Sequence, residues 1–240
     1  MKRFALLIEA SEVPNEDKLP GAKADVANFR EWICSKPGGA WFTTEIVELH
    51  TPTLSEVKKA ITAAGKMDFA FVTFAGHGIH SQELDETKAC LRDGRMVIRD
   101  LIPNVERCTI VVDACRNVVS ERLLESIEFS LARQKYMKFA EDRNARRDFE
   151  VQVAKAEKGY EFLYSCGLNE SAGDTPTGGF FSWYLVQGGN EFAQRNEGGK
   201  NWYSVKSAFN FAAKKTTERH RPQHPQFEPG RRTEHFPFAV

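Results

Sequence analysis

The sequence predicts an α/β fold, a mostly parallel central sheet with helices on both faces. Three observations carry that prediction. Short apolar runs rich in β-branched and aromatic residues recur along the chain, without the alternation of strands that have one wet face. Helical patterns separate these runs. Crossovers between parallel strands are right-handed, so strand–helix–strand–helix–strand reads as a doubly wound sheet. The 240 residues, 41% apolar and 28% charged, suit one domain over 1–240 with a sizeable core.

The first strand is residues 3–8 (RFALLI). It follows Met1-Lys2-Arg3 as a secretory leader would, but Glu9 ends the apolar stretch and no small-residue cleavage site follows. A helix over 25–33 places Val26, Phe29 and Ile33 on one face. Residues 45–49 (EIVEL) form the second strand. Helix 55–64, capped by Thr53 or Ser55, aligns Val57, Ile61 and Ala64. Residues 69–74 (FAFVTF) and 109–112 (TIVV) are the third and fourth strands. Between them, Asp93-Gly94 within 90–98 signals a hairpin.

Residues 120–158 contain no Gly or Pro and carry nine basic and eight acidic side chains. They read as a charged helical insertion, at about 118–160, with Leu124, Ile127 and Leu131 as its first apolar stripe. A fifth strand, 162–166 (FLYSC), follows. Residues 167–179 are a Gly, Thr and Pro loop, and a helix starts near Gly179. Turns are expected at Gly188-Gly189 and Gly198-Gly199, and a helix over 203–214. The tail from 219 to 240 ends in an apolar Phe236-Pro237-Phe238-Ala239-Val240, read as a docked edge.

Lys plus Arg and Asp plus Glu both number 33, so the formal net charge is zero. That balance argues against a nucleic-acid binder or a polybasic membrane-surface protein. No apolar run approaches the roughly 18 residues of a membrane span. The five cysteines are odd in number and include no CxxC pair, which fits a reducing, cytoplasmic setting.

Two strand ends carry candidate chemistry. The third strand runs into Gly76-His77-Gly78, and the fourth into Asp113-Ala114-Cys115-Arg116. Ligands of open α/β sheets sit at the carboxyl ends of strands. If the two strands are neighbours, His77 can accept the proton of Cys115 and make it a nucleophile. The amides of Gly78 and Cys115 can then hold the oxyanion of an acyl intermediate. Taken singly, His77 also fits a satisfied core histidine, and Cys115 a small buried hydrophobe.

At these residues the sequence resembles the caspase-like cysteine peptidases, most closely the metacaspase-type and bacterial caspase-like branch. Gly76-His77-Gly78 is similar to the family's His-Gly motif, and Asp113-Ala114-Cys115-Arg116 to its Asp-x-Cys motif. Residues 4–8, 19–25, 162–166, 178–185 and 223–226 extend the likeness. Residues 120–158 lie outside it. The resemblance implies a three-layer caspase-like sandwich and a peptidase with His77 as base and Cys115 as nucleophile.

It also implies specificity. Caspases proper cut after Asp with basic pocket residues and a Gln two places before the nucleophile; here that place is Asp113, and Leu19 stands near the pocket Arg. Metacaspases line this pocket with acids, and Asp25 and Asp113 match both positions. Two carboxylates would pair with a P1 Arg or Lys. The plainer role for Asp25 is a carboxylate at the start of its helix.

Three departures stand against the metacaspase pattern. Ala75 replaces a common Ser, and Glu9 follows the first strand in place of Gly. Around the calcium site of calcium-dependent members, Asp85, Glu86 and Asp100 remain, but Arg99 and Arg122 replace acids. A hard cation wants several oxygen ligands, so no metal or other cofactor is expected. The His220–His224 spacing suits a helical metal pair, but Pro222 between them argues against a helix. Cys166 and Glu170 flank the expected cleft and read as core strand and solvated loop.

The expected partner is a protein or peptide substrate. The insertion offers a docking face for a regulatory partner, or sites of self-cleavage such as Arg146-Arg147. The competing reading is a caspase-fold interaction module with little or no turnover. A nucleotide-binding Rossmann-like domain is a third reading, which the lack of GxGxxG after the first strand disfavours.

Overall fold

A computed structural model describes residues 1–81, 85–116, 142–195 and 202–240. In chain order the elements are β1 (Arg3–Ala10), α1 (Pro20–Cys34), β2 (Ile46–His50), α2 (Leu54–Ala64), β3 (Met67–Gly76), β4 (Gly78–Ser81), β5 (Glu86–Leu91), β6 (Gly94–Val97), β7 (Val105–Asp113), α3 (Arg143–Lys155), β8 (Gly159–Tyr164), α4 (Phe180–Arg195), β9 (Tyr203–Ser204), α5 (Val205–Arg219), β10 (Gln226–Glu228) and β11 (Pro237–Ala239). The main sheet runs β10-β8-β7-β3-β1-β2. All its pairings are parallel except β10 with β8.

The apolar runs lack alternation because both sheet faces are covered. Along β1, Ala5 and Leu7 join a core cluster with Phe29 and Trp32 of α1 and Phe181 and Leu185 of α4. Phe4, Leu6 and Ile8 point the other way, toward Val57 of α2 and Leu91 and Met96 of the β4-β5-β6 sheet. The caspase-like α/β sandwich is therefore present, with the small antiparallel sheet sharing one outer layer with α2.

Several boundaries differ from the sequence expectation. Helix α1 starts at Pro20, five residues before Asp25, because proline supplies a ready first-turn φ and lacks a donor that would be orphaned there. Strand β1 continues through Glu9, whose buried carboxylate accepts the Ser11 N–H at 2.8 Å and lies 3.3 Å from His50 Nδ1. Thr53 caps α2 in a reciprocal box with Glu56. The first half of the charged insertion and Gly198-Gly199 lie outside the described residues.

The later half of the insertion is a packed helix. On α3, Ala145, Phe149 and Val153 are buried. Arg146 grips Glu45 with two hydrogen bonds of 2.6 and 2.8 Å. Glu45 also lies 3.3 Å from Arg3, whose guanidinium sits over Trp41. The tail closes the same side: β11 pairs with β9, and Phe238 stacks on Trp32. Among the described residues no helix is long and apolar enough to cross a membrane.

Gly188-Gly189 is not a turn but the middle of α4. The pair is there for space. A Cβ on Gly189 would lie 2.5 Å from the Trp32 ring and 3.1 Å from Phe238, and one on Gly188 would lie 2.8 Å from Phe211. In an open helix Gly→Ala stabilises by about 1 kcal/mol. Here we expect the opposite sign: Gly189→Ala should cost about 1–3 kcal/mol in urea unfolding, because Trp32 and Phe238 are locked in the core. A stabilised Gly189→Ala variant would mean that α4 does not sit this close to α1.

Candidate active site

The parallel pairing of β3 with β7 brings the two candidate strand ends side by side. Its last paired residues are Ala75 and Asp113. His77 and Cys115 each lie two residues further on. Gly78 opens β4 and packs directly on the nucleophile segment: a Cβ there would lie 2.6 Å from the Cys115 carbonyl and 2.9 Å from the Ala114 Cβ. Only glycine fits this approach, so the residues carrying both candidate oxyanion amides are in contact.

His77 Nε2 lies 2.6 Å from the backbone carbonyl of Asp17. A carbonyl can only accept, so Nε2 carries the ring proton and Nδ1 is the basic nitrogen. Glu16 Oε2 lies 4.0 Å from Nδ1. Cys115 is half-buried, and burial pushes its thiol up, while the Ala172 N–H and the Ser171 side chain pull it down. No hydrogen bond joins His77 to Cys115 among the described residues. Such bonds are often long in free enzymes and tighten with substrate.

Asp25 and Asp113 converge on the start of α4. Both Asp25 oxygens accept the Gly179 N–H, at 3.0 and 3.1 Å. Asp113 Oδ2 accepts the Ser182 N–H at 3.2 Å and its hydroxyl at 2.6 Å. Asp25 thus answers a helix N-terminus, but that of α4 and not its own. Gly179 makes the convergence possible, since a Cβ there would lie 2.4 Å from Asp113 Oδ2.

A third acid joins them. Asp174 accepts the Gly21 N–H at 3.3 Å and is close enough to Asp113 to feel its charge. Sequence reasoning passed over it as part of a Gly, Thr and Pro loop; its one signal is that it is the only acid between Glu170 and Glu191. The Asp17 carbonyl left no signal, because any residue supplies one. Burial pushes all three acids up, and the neighbouring Asp113 charge adds to this for Asp25 and Asp174. Among the described residues no ion pair joins any of them to a cation. Three buried carboxylates gathered without a counter-charge among the described residues make an electrostatically costly cluster.

The remaining candidates sit apart from this cluster or support it. Cys166 is buried, its thiol 3.3 Å from the Ala114 and Glu170 carbonyls. Glu170 accepts from the Gly167 and His224 N–H groups and bonds the His224 ring at 2.6 Å. His220 ends α5 and faces Gln223, so the two histidines do not share a helix face. Arg99 pairs with Glu228 at 2.9 Å.

Fold and site together define a peptidase-type α/β sandwich with histidine and cysteine at adjoining strand ends. The chain belongs to the caspase-domain family, whose profile matches residues 2–237. Caspase-1 from Spodoptera frugiperda superposes with a TM-score of 0.58 at 14% identity, over 95% of this chain and 86% of that one. A protein from Geobacter sulfurreducens of known structure gives 0.56 at 19% identity, covering 95% and 93%. At these identities the likeness speaks for the fold. No curated protein sequence matches the chain.

The acid cluster predicts its own stability signature. Asp174 is raised from 3.8 to about 6. The folded protein therefore holds that proton more tightly than the unfolded chain. Its contribution is full below pH 3.8 and is lost as pH rises to about 6. Asp174→Asn keeps an acceptor for Gly21 and removes the charge. We expect its Tm to exceed the wild type's by about 2–4 °C at pH 7, with the difference vanishing near pH 4. Thermal unfolding at the two pH values checks this.

Proposed function

We propose that the protein is a cysteine endopeptidase that cleaves protein substrates after Arg or Lys. The observation that carries this reading is the β3–β7 register, which brings the two strands to adjoining ends two residues before His77 and Cys115, with the His77 Nε2–H held by the Asp17 carbonyl. Burial keeps the resting thiol protonated, so attack needs a base. His77 Nδ1 takes the thiol proton as sulfur adds to the scissile carbonyl carbon. The Gly78 and Cys115 amides receive the oxyanion. His77 then returns the proton to the departing amine, leaving an acyl-enzyme. A water, deprotonated by His77, releases the acid and restores the thiol.

Asp25, Asp113 and Asp174 form the S1 floor. A P1 guanidinium or ammonium supplies the missing counter-charge, and the repulsion among the acids becomes binding selectivity. The mechanism uses no metal. Helix α3 supports a regulatory or docking role for the insertion over self-cleavage at Arg146-Arg147, because Arg146 is tied to Glu45 and would need local unfolding to reach a cleft.

A second reading, a caspase-fold interaction module, draws on the Cys115 thiol being held by Ser171 and Ala172 and not by His77. A peptide-library digest separates the two. Wild type should cut after Arg and Lys, unaffected by EGTA, and keep its own chain intact by mass. Cys115→Ala and His77→Ala should be folded and inactive. Asp113→Asn should lower kcat/KM for basic P1 by about 30-fold or more, from roughly 2–5 kcal/mol of lost charge pairing. Cleavage after Asp, or undiminished turnover by folded Cys115→Ala, would overturn the reading.

A further inference from the structure

A cavity of about 450 Å³ lies on the outer layer, between α2 and the β4-β5-β6 sheet. Leu54, Ile79 and Val97 give it an apolar wall, and Lys58, Lys88, Arg95 and Asp100 its charged rim. The chain dictates this grouping. Leu54 and Lys58 are one helical turn apart on α2. Lys88 pairs across the sheet with Ile79 and Val97, and Arg95 with Cys90, which puts Lys88 and Arg95 on one face.

The three cations stand out against their neighbours. Arg92 pairs with Glu56 at 3.1 Å and Arg99 with Glu228 at 2.9 Å. Lys58, Lys88 and Arg95 form no ion pair among the described residues, although Asp100 lines the same cavity. Among the described residues, three lining cations face one lining carboxylate, Asp100, with Asp85 paired to the wall residue His80 at 3.4 Å; that excess of positive charge suits an oxyanion, for which Arg offers a planar fork and Lys a point charge. The same set opposes a metal cation. An apolar wall beside the cations suits the body of a ligand whose phosphate meets the rim.

The cavity also connects to the dyad. Strand β4 begins one residue after His77. His80, in the cavity wall, lies 3.3 Å from Thr87 Oγ1, which accepts from Arg116 Nε at 3.2 Å. Arg116 directly follows Cys115 and is buried against Tyr164, 4.1 Å from the ring centroid. A ligand that shifts β4 or His80 therefore moves groups bonded to the nucleophile segment.

We propose that this cavity binds a phosphate-bearing small molecule and that occupancy is felt at Cys115. The claim stands apart from the peptidase reading, and its test needs no substrate. Calorimetry on the full chain uses inorganic pyrophosphate and ATP in magnesium-free buffer. Saturable binding is expected below about 1 mM. Lys88→Ala should weaken it about tenfold, and Asp100→Asn should tighten it about threefold by removing the opposing charge. Equal affinities for the two probes would assign the site to the phosphate alone, and tighter ATP binding would assign it to a nucleotide.

Iodoacetamide labelling read by intact mass reports on Cys115, since the other four cysteines are buried. Saturating ligand should change that rate at least about twofold in wild type and not in Lys88→Ala. No binding of either probe at about 1 mM, or equal binding by wild type, Lys88→Ala and Asp100→Asn, would overturn the site. A labelling rate indifferent to bound ligand would overturn the link to Cys115.

Discussion

The parallel pairing of β3 with β7 is the constraint on which the rest of the site depends. Eight residue pairs run from Met67 with Val105 to Ala75 with Asp113. A slip of one residue would turn Phe74 and Val112 from one core to the other and would be rejected by both covered faces. Register set by burial thus becomes register of chemistry. It places Gly76-His77-Gly78 against Asp113-Ala114-Cys115, and the close approach of Gly78 to Ala114 and Cys115 leaves no room for another side chain.

The second constraint is charge at the start of α4. Helix N-termini attract anions, and the Gly179 and Ser182 amides hold Asp25 and Asp113 in place. Those bonds lower the cost of burying carboxylates but do not remove it, since burial still wins for all three acids. The helix therefore serves both as a structural cap for the acids and as the device that keeps them gathered. Stability is given up here, and on the proposed reading a substrate cation restores it, a pattern common at binding sites.

Much of this was legible in the sequence, for identifiable reasons. Unbroken apolar runs such as FAFVTF report two covered faces, and they located β1, β3, β7 and β8 to within a few residues. Asp93-Gly94 located the β5–β6 turn. The helix start at Pro20 was misplaced because the apolar stripe begins only at Val26. Gly188-Gly189 was misread because a glycine pair signals a turn locally, whereas here tertiary contacts with Trp32, Phe211 and Phe238 demand it. Asp25 and Asp113 were singled out by residue type at motif positions, and the fold brings them together at the start of α4. Asp174 and the Asp17 carbonyl were not, because their roles arise from loops that only the folded chain brings to the strand ends.

The central claim is that His77, Cys115 and the three acids act as one site. Active-site labelling with a peptidyl-arginine chloromethyl ketone tests it most directly. The Cys115 sulfur displaces chloride only if the P1 side chain is seated and the thiol is activated. The account predicts one added inhibitor on Cys115 by intact mass and peptide mapping. Labelling should be strongly slowed in His77→Ala and in Asp113→Asn, and the P1-Asp reagent should react far more slowly with wild type. Equal labelling by the two reagents, or labelling of His77→Ala at the wild-type rate, would contradict it.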